Sequence, residues 1–174
     1  QLGQRLHAAH RLDRATSGVL LFARSSEMAA RMHEQFAART VHKRYLALCR
    51  GNDEALTRVD HPLAKEAGAE RLPAVTEFKM LGKHGRYGLF EARPITGRTH
   101  QIRRHLKHAS HPIIGDVNYG KGEHNRHFRE TYGFRRMALH CAEMGFAHPR
   151  TGAPLTVVAP LDAAFAGLLR ELGL

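Results

Sequence analysis

Two strand-like runs separated by a short glycine-bounded turn constrain the fold of this 174-residue chain more than any other feature. Residues 74–81 and 87–93 are rich in residues that favour strands, and they flank the turn sequence Gly82-Lys83-His84-Gly85. Runs connected in this way form a β-hairpin, whose strands are antiparallel. We therefore predict a sheet that is at least partly antiparallel.

The other segments of the chain contain more strand patterns than helix patterns. Further strands are predicted over residues 18–23, 44–49, 137–147 and 154–158. Helices are predicted from Ser25 or Ser26 to about residue 39, over residues 98–109 and over residues 161–174, whereas residues 51–71 are predicted to be irregular. This order indicates an α+β fold with a mostly antiparallel sheet and flanking helices. Because no linker or repeat divides the chain, we expect residues 1–174 to form a single domain.

The charge balance points to a polyanionic partner. Lysine and arginine number 27 against 16 aspartates and glutamates, a formal net charge of +11, and 14 histidines could add to it. Such a balance favours RNA or DNA as the partner. The apolar runs are too short to span a bilayer and no signal peptide is evident. We therefore expect no membrane contact and a cytoplasmic location; the sequence does not specify the oligomeric state, and a monomer is our expectation.

A single carboxylate lies among basic residues near the start of the chain. Asp13 follows Arg11 by two residues and directly precedes Arg14. Neighbouring positive charge favours the ionised form of a carboxylate. Asp13 could therefore act as a nucleophile, a general base or a structural ion-pair partner, and from composition alone the ion pair is the commoner outcome.

The run from Arg98 to His108 predicts a basic helix with one apolar side. Ile102 and Leu106 lie on one helical face and must point inward, which places Arg103 at the edge of the buried surface. Arg103 either extends its apolar stem over the core or pairs with a carboxylate, for which Asp13 is the obvious candidate. The residues alone leave these two alternatives open.

Several histidines cluster in the sequence without forming a metal-binding pattern. Their neighbours are arginines and lysines, which repel a cation, and no carboxylate or cysteine falls at ligand spacing. We therefore expect no metal and no cofactor. The histidines concerned are His10, His100, His105, His108 and His111.

Taken together, five blocks of the sequence resemble the RluA-type branch of the pseudouridine synthases. They follow the family's order and span nearly the whole chain. The blocks are His10-Arg11-Leu12-Asp13-Arg14-Ala15-Thr16-Ser17-Gly18, Lys43-Arg44-Tyr45, Thr96-Gly97-Arg98-Thr99-His100-Gln101-Ile102-Arg103, His111-Pro112-Ile113-Ile114-Gly115-Asp116, and Leu139-His140 before His148-Pro149.

The resemblance implies a cofactor-free isomerisation of a specific uridine in RNA. By analogy, Asp13 is the catalytic carboxylate, Tyr45 is the active-site tyrosine that stacks on the base and assists proton removal from C5, and Arg103 pairs with Asp13. Arg11 would fill the space that the target nucleotide leaves when it flips out. The cations expected to bind RNA are Arg11, Arg14, Arg98, His100, Arg104 and Lys107.

Two further segments resemble the tRNA-directed members of the family. They are residues 85–89 and the insert at residues 124–128. The resemblance thus implies a tRNA substrate, with uridine 65 as the target, and the alternatives are a ribosomal RNA substrate or a catalytically silent RNA-binding module. Members usually carry a Lys-Pro-x-Gly block upstream of the catalytic loop. This chain begins at Gln1 without it, so we expect the corresponding strand region of the sheet to be missing.

Overall fold

The computed structural model describes residue 3, residues 5–66 and residues 68–174. The helices are α1 (Ser26–Ala37), α2 (Gln101–His108), α3 (Gly122–Thr131) and α4 (Ala163–Leu172). The strands are β1 (His7–Ala8), β2 (Ser17–Gly18), β3 (Phe22–Ala23), β4 (His42–Arg50), β5 (Arg58–Asp60), β6 (Leu63–Ala64), β7 (Arg71–Leu72), β8 (Val75–His84), β9 (Tyr87–Pro94), β10 (Leu139–Ala147) and β11 (Pro154–Val158). The fold is α+β and dominated by its sheet, as predicted.

One large sheet carries most of the strands. Its order is β11-β10-β4-β9-β8-β5, with each neighbouring pair antiparallel, and β2 lies parallel beside β10. Smaller antiparallel pairs form between β1 and β3 and between β6 and β7. The predicted mostly antiparallel sheet is therefore confirmed, and β2 is its parallel exception.

The predicted hairpin is present as β8 and β9, but its turn is tighter than the sequence indicated. Pairing continues to His84 opposite Tyr87, so the chain reverses at Gly85 and Arg86. Gly85 adopts a φ of 54°, a left-handed conformation that glycine accepts without a steric penalty. The predicted turn residue Gly82 instead lies within β8, beside an irregularity in the ladder.

The main core forms where the helices pack on the central strands. Leu48 of β4 and Phe90 of β9 have no exposed surface, and they share a cluster with Leu106 of α2, Phe128 of α3 and Phe165 of α4. Helices α2, α3 and α4 each contribute apolar side chains to this cluster, whereas the buried residues of α1, Ala29 and Met32, lie outside it. No helix within the described parts of the chain combines the length and apolar character needed to cross a membrane.

Some local predictions are wrong. The strand predicted over residues 18–23 is instead two short strands, β2 and β3, because Gly18 turns with a φ of 112° against the backbone of Cys141. The segment predicted to be irregular, residues 51–71, contains β5 and β6 and begins β7. Helix α3 was not predicted. Gln1, on which the expectation of a missing strand region rests, lies outside the described residues.

Candidate active site

A cavity of about 570 Å³ opens between the loop that carries Asp13, strand β4 and the N-terminal end of α2. Its volume lies in the range of small-molecule sites, roughly 300–1,000 Å³. Asp13, Tyr45 and Arg103, the three predicted catalytic residues, all line it. The structure therefore brings together side chains that are up to 90 positions apart in the sequence.

The backbone of the Asp13 loop is fixed against the sheet. The N–H of Thr16 donates to the carbonyl of Asp13 at 2.8 Å, which closes a turn. Ser17 and Gly18 then pair with β10, and an added Cβ at Gly18 would overlap the carbonyl of Cys141. A glycine is required at this close approach, and the sheet consequently determines where Asp13 lies.

A partly buried polar cluster holds the same loop through its side chains. The Ser17 hydroxyl lies 2.8 Å from Nδ1 of His140 and accepts a hydrogen bond from Arg136 at 2.7 Å. Nε2 of His140 donates to the carbonyl of Ala159 at 3.0 Å, so Nδ1 is the acceptor for the Ser17 hydroxyl. Arg136 also pairs with Asp162. These contacts connect the loop to β10 and to the beginning of α4.

Arg103 bridges two carboxylates. Its Nη1 donates to Asp13 at 3.0 Å, while Nε and Nη2 donate to Asp116 at 2.7 and 2.9 Å. The Asp116 side chain has no exposed surface, that of Arg103 is 7% exposed, and that of Asp13 is 24% exposed. The bidentate pair fixes the plane of the guanidinium, so that Nη1 is directed at Asp13.

Electrostatics maintain this arrangement in its charged form. Burial opposes the charge on Arg103, but hydrogen bonds to Asp116 and Asp13 outweigh it and raise the pKa of Arg103 above its usual value. Burial likewise opposes ionisation of Asp116. The hydrogen bonds from Arg103 and from the N–H groups of Tyr119 and Asn118 outweigh that effect and lower the pKa of Asp116.

Asp116 is a partner of Arg103 that the sequence interpretation missed. It belongs to a block used for the resemblance, but no role was assigned to it. The available signal was the guanidinium itself: an arginine on a buried helical face has five N–H donors, and one carboxylate cannot satisfy them all.

Tyr45 faces the cavity from β4 in a confined environment. Its partner across the sheet is Cys141 of β10. Burial is the main cause that raises the pKa of Tyr45 well above its usual value, and the nearby Cys141 and Asp13 act in the same direction. The phenol is therefore neutral at physiological pH.

His100 lies at the N-terminal end of α2 beside Asp13. Its Nε2 is 3.8 Å from Oδ1 of Asp13, and its Nδ1 is 3.0 Å from the hydroxyl of Tyr119. The ring of Tyr119 in turn lies under the guanidinium of Arg103, 4.9 Å from its Cζ. With a φ of 54°, His100 is left-handed, a conformation that costs about 1–2 kcal/mol for a residue with a side chain.

Buried hydrogen bonds dock α2 on β8. Gln101 accepts from the Thr96 hydroxyl at 2.6 Å and from the N–H of Arg98 at 2.9 Å, and it donates to Thr76 at 3.0 Å. Nδ1 of His105 lies 2.9 Å from the same Thr76 hydroxyl. This network fixes the helix that carries Arg103, and the sequence interpretation assigned no role to Thr76, Thr96 or Gln101.

The cations predicted to bind RNA occupy different environments. Arg11 is exposed and lines the cavity, whereas Arg14 is exposed and lies outside the cavity lining. Arg98 and Arg104 donate to the backbone carbonyls of Pro73 and Ala64, at 3.1 and 2.7 Å. Lys107 is exposed, with its ammonium 5.8 Å from the centre of the Tyr119 ring.

The two arginines that flank Asp13 in sequence are not its ion-pair partners. Among the residues that the structure describes, the basic side chains within 4 Å of the Asp13 carboxylate are those of Arg103 and His100. The described residues also contain no group of three or more histidine, cysteine, aspartate or glutamate side chains placed to hold a metal ion.

Comparison with known proteins identifies the class of protein that carries this fold and this cavity. Residues 1–108 match the RNA pseudouridylate synthase family. The chain therefore belongs to this family, whose members are isomerases that convert uridine to pseudouridine in RNA.

Individual relatives extend the match over almost the whole chain. A tRNA pseudouridine synthase C of Vibrio cholerae is 42% identical over 99% of this chain and 80% of its own length. The protein of that name from Salmonella typhi is 41% identical over 99% of this chain and 75% of its own. The solved structure of human RNA pseudouridylate synthase domain containing 4 superposes with a TM-score of 0.80 at 26% identity, covering 97% of this chain and 76% of that one.

Proposed function

We propose that this protein isomerises one uridine of tRNA, nucleotide 65, with Asp13 as the catalytic carboxylate. The observation that carries the proposal is the placement of Asp13. Its partly exposed carboxylate lies in the cavity, 3.0 Å from an arginine that a second, fully buried carboxylate holds in place.

The reaction rearranges bonds within one nucleotide. The bond between N1 of uracil and C1′ of ribose breaks, a bond between C5 and C1′ forms, C5 loses a proton and N1 gains one. Asp13 could attack C1′, add to the uracil ring or remove a sugar proton. Each route requires a carboxylate directed at the nucleotide, and the contact with Arg103 fixes the position of the Asp13 carboxylate at the cavity.

The target base must leave its helix to reach this carboxylate. The cavity is lined by protein on the sides of β4 and α2, so a stacked or paired uridine could not enter it. The exposed Arg11 at the cavity is positioned to occupy the space that the base vacates. Tyr45 offers a ring on which an extruded uracil would stack.

Two observations support tRNA as the substrate. The relatives from Vibrio cholerae and Salmonella typhi are both named for activity on tRNA. In addition, residues 85–89 and 124–128, the segments that resemble tRNA-directed members, pack against each other. The hydroxyl of Tyr87 lies 3.1 Å from Nδ1 of His124, and the rings of Tyr87 and Phe128 meet edge to face.

The experiment is to map pseudouridine in transcribed tRNA and in ribosomal RNA after incubation with the wild-type protein and with Asp13→Asn. We expect one new pseudouridine in tRNA, at position 65, and none with the variant, whose folding and tRNA affinity stay near those of the wild type. Asp60→Asn, which alters an exposed aspartate on β5, is the matched control and should retain full activity.

Each result that contradicts the proposal has a distinct meaning. Product in ribosomal RNA alone would assign the other substrate class. Binding of tRNA by the wild-type protein without any product would indicate a silent RNA-binding module, and product from Asp13→Asn would remove the role of the carboxylate.

A further inference from the structure

We propose that Lys43 binds a backbone phosphate next to the uridine that enters the active-site cavity. The inference rests on the proposed function, since it assumes that this uridine leaves its helix and reaches Asp13. It assigns a role to a cation of the cavity lining that was not among the residues expected to bind RNA.

Lys43 lies on the same face of β4 as Tyr45. Side chains two positions apart on a strand point to the same side of the sheet, and both of these residues line the cavity. Their Cα atoms are separated by roughly 7 Å, which is twice the rise per residue of a strand. An extruded uracil that stacks on Tyr45 therefore has the Lys43 side chain as the next group along the strand.

The Lys43 ammonium has no counter-ion in the described part of the chain. No carboxylate there lies within ion-pair distance of it, and it donates no hydrogen bond to a described residue. The acidic side chains of the neighbouring strands, Glu91 and Glu143, pair instead with Arg44, which points to the other face of β4. The ammonium is also absent from the described polar atoms that are fully buried without a hydrogen bond, so a ligand can reach it.

Lys43 is nevertheless partly buried, which makes its unpaired charge costly. Its neighbour across the sheet, Met144, has no exposed surface, so the aliphatic part of the lysine lies beside an apolar cluster. Burial is the main cause that lowers the pKa of Lys43 below its ordinary value. A phosphate at the ammonium would offset this cost, because it supplies the missing opposite charge.

Other basic side chains of the cavity are already engaged by the protein. Arg103 is held between two carboxylates. Arg98 donates to the carbonyl of Pro73. Nε2 of His10 accepts a hydrogen bond from the N–H of Leu21, and burial lowers the pKa of His10, so this ring carries no charge. Lys43 differs from these residues in that its charge is present and unengaged.

A phosphodiester is the anion that an RNA substrate would bring to this position. A flipped nucleotide stays joined to its strand through two phosphates, so both approach the mouth of the cavity when the base enters. The exposed Arg11 is proposed above to fill the gap in the RNA helix, which places it with the stem rather than with the flipped nucleotide. Lysine binds phosphate as a point charge on a flexible stem, so the contact requires no fixed angle.

The test is a double-mutant cycle between the lysine and the phosphate. The protein variants are Lys43→Met, which keeps an unbranched side chain without its charge, and Lys43→Arg, which keeps the charge. The RNA variants are tRNAs with one neutral methylphosphonate linkage, on the 5′ or the 3′ side of the target uridine. Every RNA lacks the 2′-hydroxyl before each of these linkages, because that hydroxyl would cleave them. Dissociation constants are measured in the Asp13→Asn background, in which the uridine stays unreacted.

We expect Lys43→Met to weaken binding of the unmodified tRNA by about 10-fold or more, the effect of losing a hydrogen bond to a charged group. One of the two methylphosphonates should weaken binding by protein that retains Lys43 to a similar extent, yet change the affinity of Lys43→Met by less than about twofold. Lys43→Arg should restore the sensitivity to that linkage. Lys79→Met, which alters an exposed lysine of β8 outside the cavity lining, should leave it intact.

Equal sensitivity to both linkages with and without Lys43 would overturn the assignment, because the lysine would then contact neither phosphate. An unchanged tRNA affinity of Lys43→Met, combined with slower product formation when Asp13 is present, would also overturn it by giving the lysine a chemical role. Urea unfolding shows whether each variant is folded, and Lys43→Gln replaces Lys43→Met if the latter is not. Wild-type protein that forms no pseudouridine in tRNA would refute the proposed function instead, so the two failures are distinguishable.

Discussion

Replacing Asp116 by asparagine should show whether this buried carboxylate stabilises Arg103 without itself taking part in the proposed reaction. Oδ1 of Asp116 accepts from Nη2 of Arg103 and from the N–H groups of Asn118 and Tyr119, and Oδ2 accepts from Nε of Arg103. In the Asp116→Asn variant, the amide could retain the Oδ1 contacts only by turning its NH₂ group toward Nε–H of Arg103. Two donors would then face each other in a site without solvent.

The expected cost follows from the burial of the pair. Removing one partner of a buried ion pair destabilises a protein by about 3–5 kcal/mol. In a chain of 174 residues, this corresponds to a fall in melting temperature of roughly 10 °C. Asp13→Asn should cost about 1 kcal/mol or less, because Asp13 is partly exposed and Arg103 keeps its bidentate partner.

The assay is equilibrium urea unfolding followed by circular dichroism, combined with pseudouridine formation at a temperature where both variants are folded. Asp116→Asn should be unstable and retain reduced turnover, whereas Asp13→Asn should be stable and inactive. Equal stability of the two variants, or a loss below about 1 kcal/mol for Asp116→Asn, would refute the claim that the buried carboxylate anchors Arg103.

Three further predictions concern the helix cap, pH and RNA. Ser25→Ala removes the side-chain acceptor for the N–H of Met28 and should lower the unfolding free energy by about 1 kcal/mol, measured in urea; no change would mean that the cap is dispensable. Burial lowers the pKa of His105 below its usual 6.5 in the folded protein, so the unfolded chain binds more protons below that pH. Stability should therefore be complete above pH 6.5 and decline below it, and His105→Asn should show a shallower decline in urea titrations. Arg11→Ala should slow single-turnover product formation at saturating RNA, whereas Arg14→Ala, outside the cavity, should reduce only the affinity; equal rates for both would remove the role of Arg11 in base extrusion.

Periodicity predicted the elements that rely on their own sequence pattern. The hairpin of β8 and β9 and the strand β4 have continuous runs of strand-forming residues, and α1 has both its Ser25 cap and its apolar stripe. Strands β2, β3, β6 and β7 are two residues long, so their formation depends on distant partners rather than on local preference. Helix α3 has a mostly polar sequence, and its place is set largely by the burial of Phe128.

In the site too, local sequence pattern predicted some features, whereas contacts between distant residues could not be predicted. The helical spacing of Ile102, Arg103 and Leu106 indicated that Arg103 lies at the edge of the core, and the structure confirms its burial and its pairing with Asp13. The spacing could not show that Arg103 has a second carboxylate partner, because Asp116 lies beyond the end of the helix. The conformation of His100 was equally inaccessible, since nothing in the sequence forces a left-handed histidine.

The anchoring of the Asp13 loop to β10 has a consequence for the nucleic acid. Because Gly18 and Ser17 are fixed to the sheet, the protein spends little free energy on ordering its own reactive loop when it captures a substrate. Most of the free-energy cost of conformational change on binding is therefore the cost of unstacking one pyrimidine of the RNA. How readily a given stem opens at that nucleotide should then rank competing RNAs by rate, even where their contacts with the protein are identical.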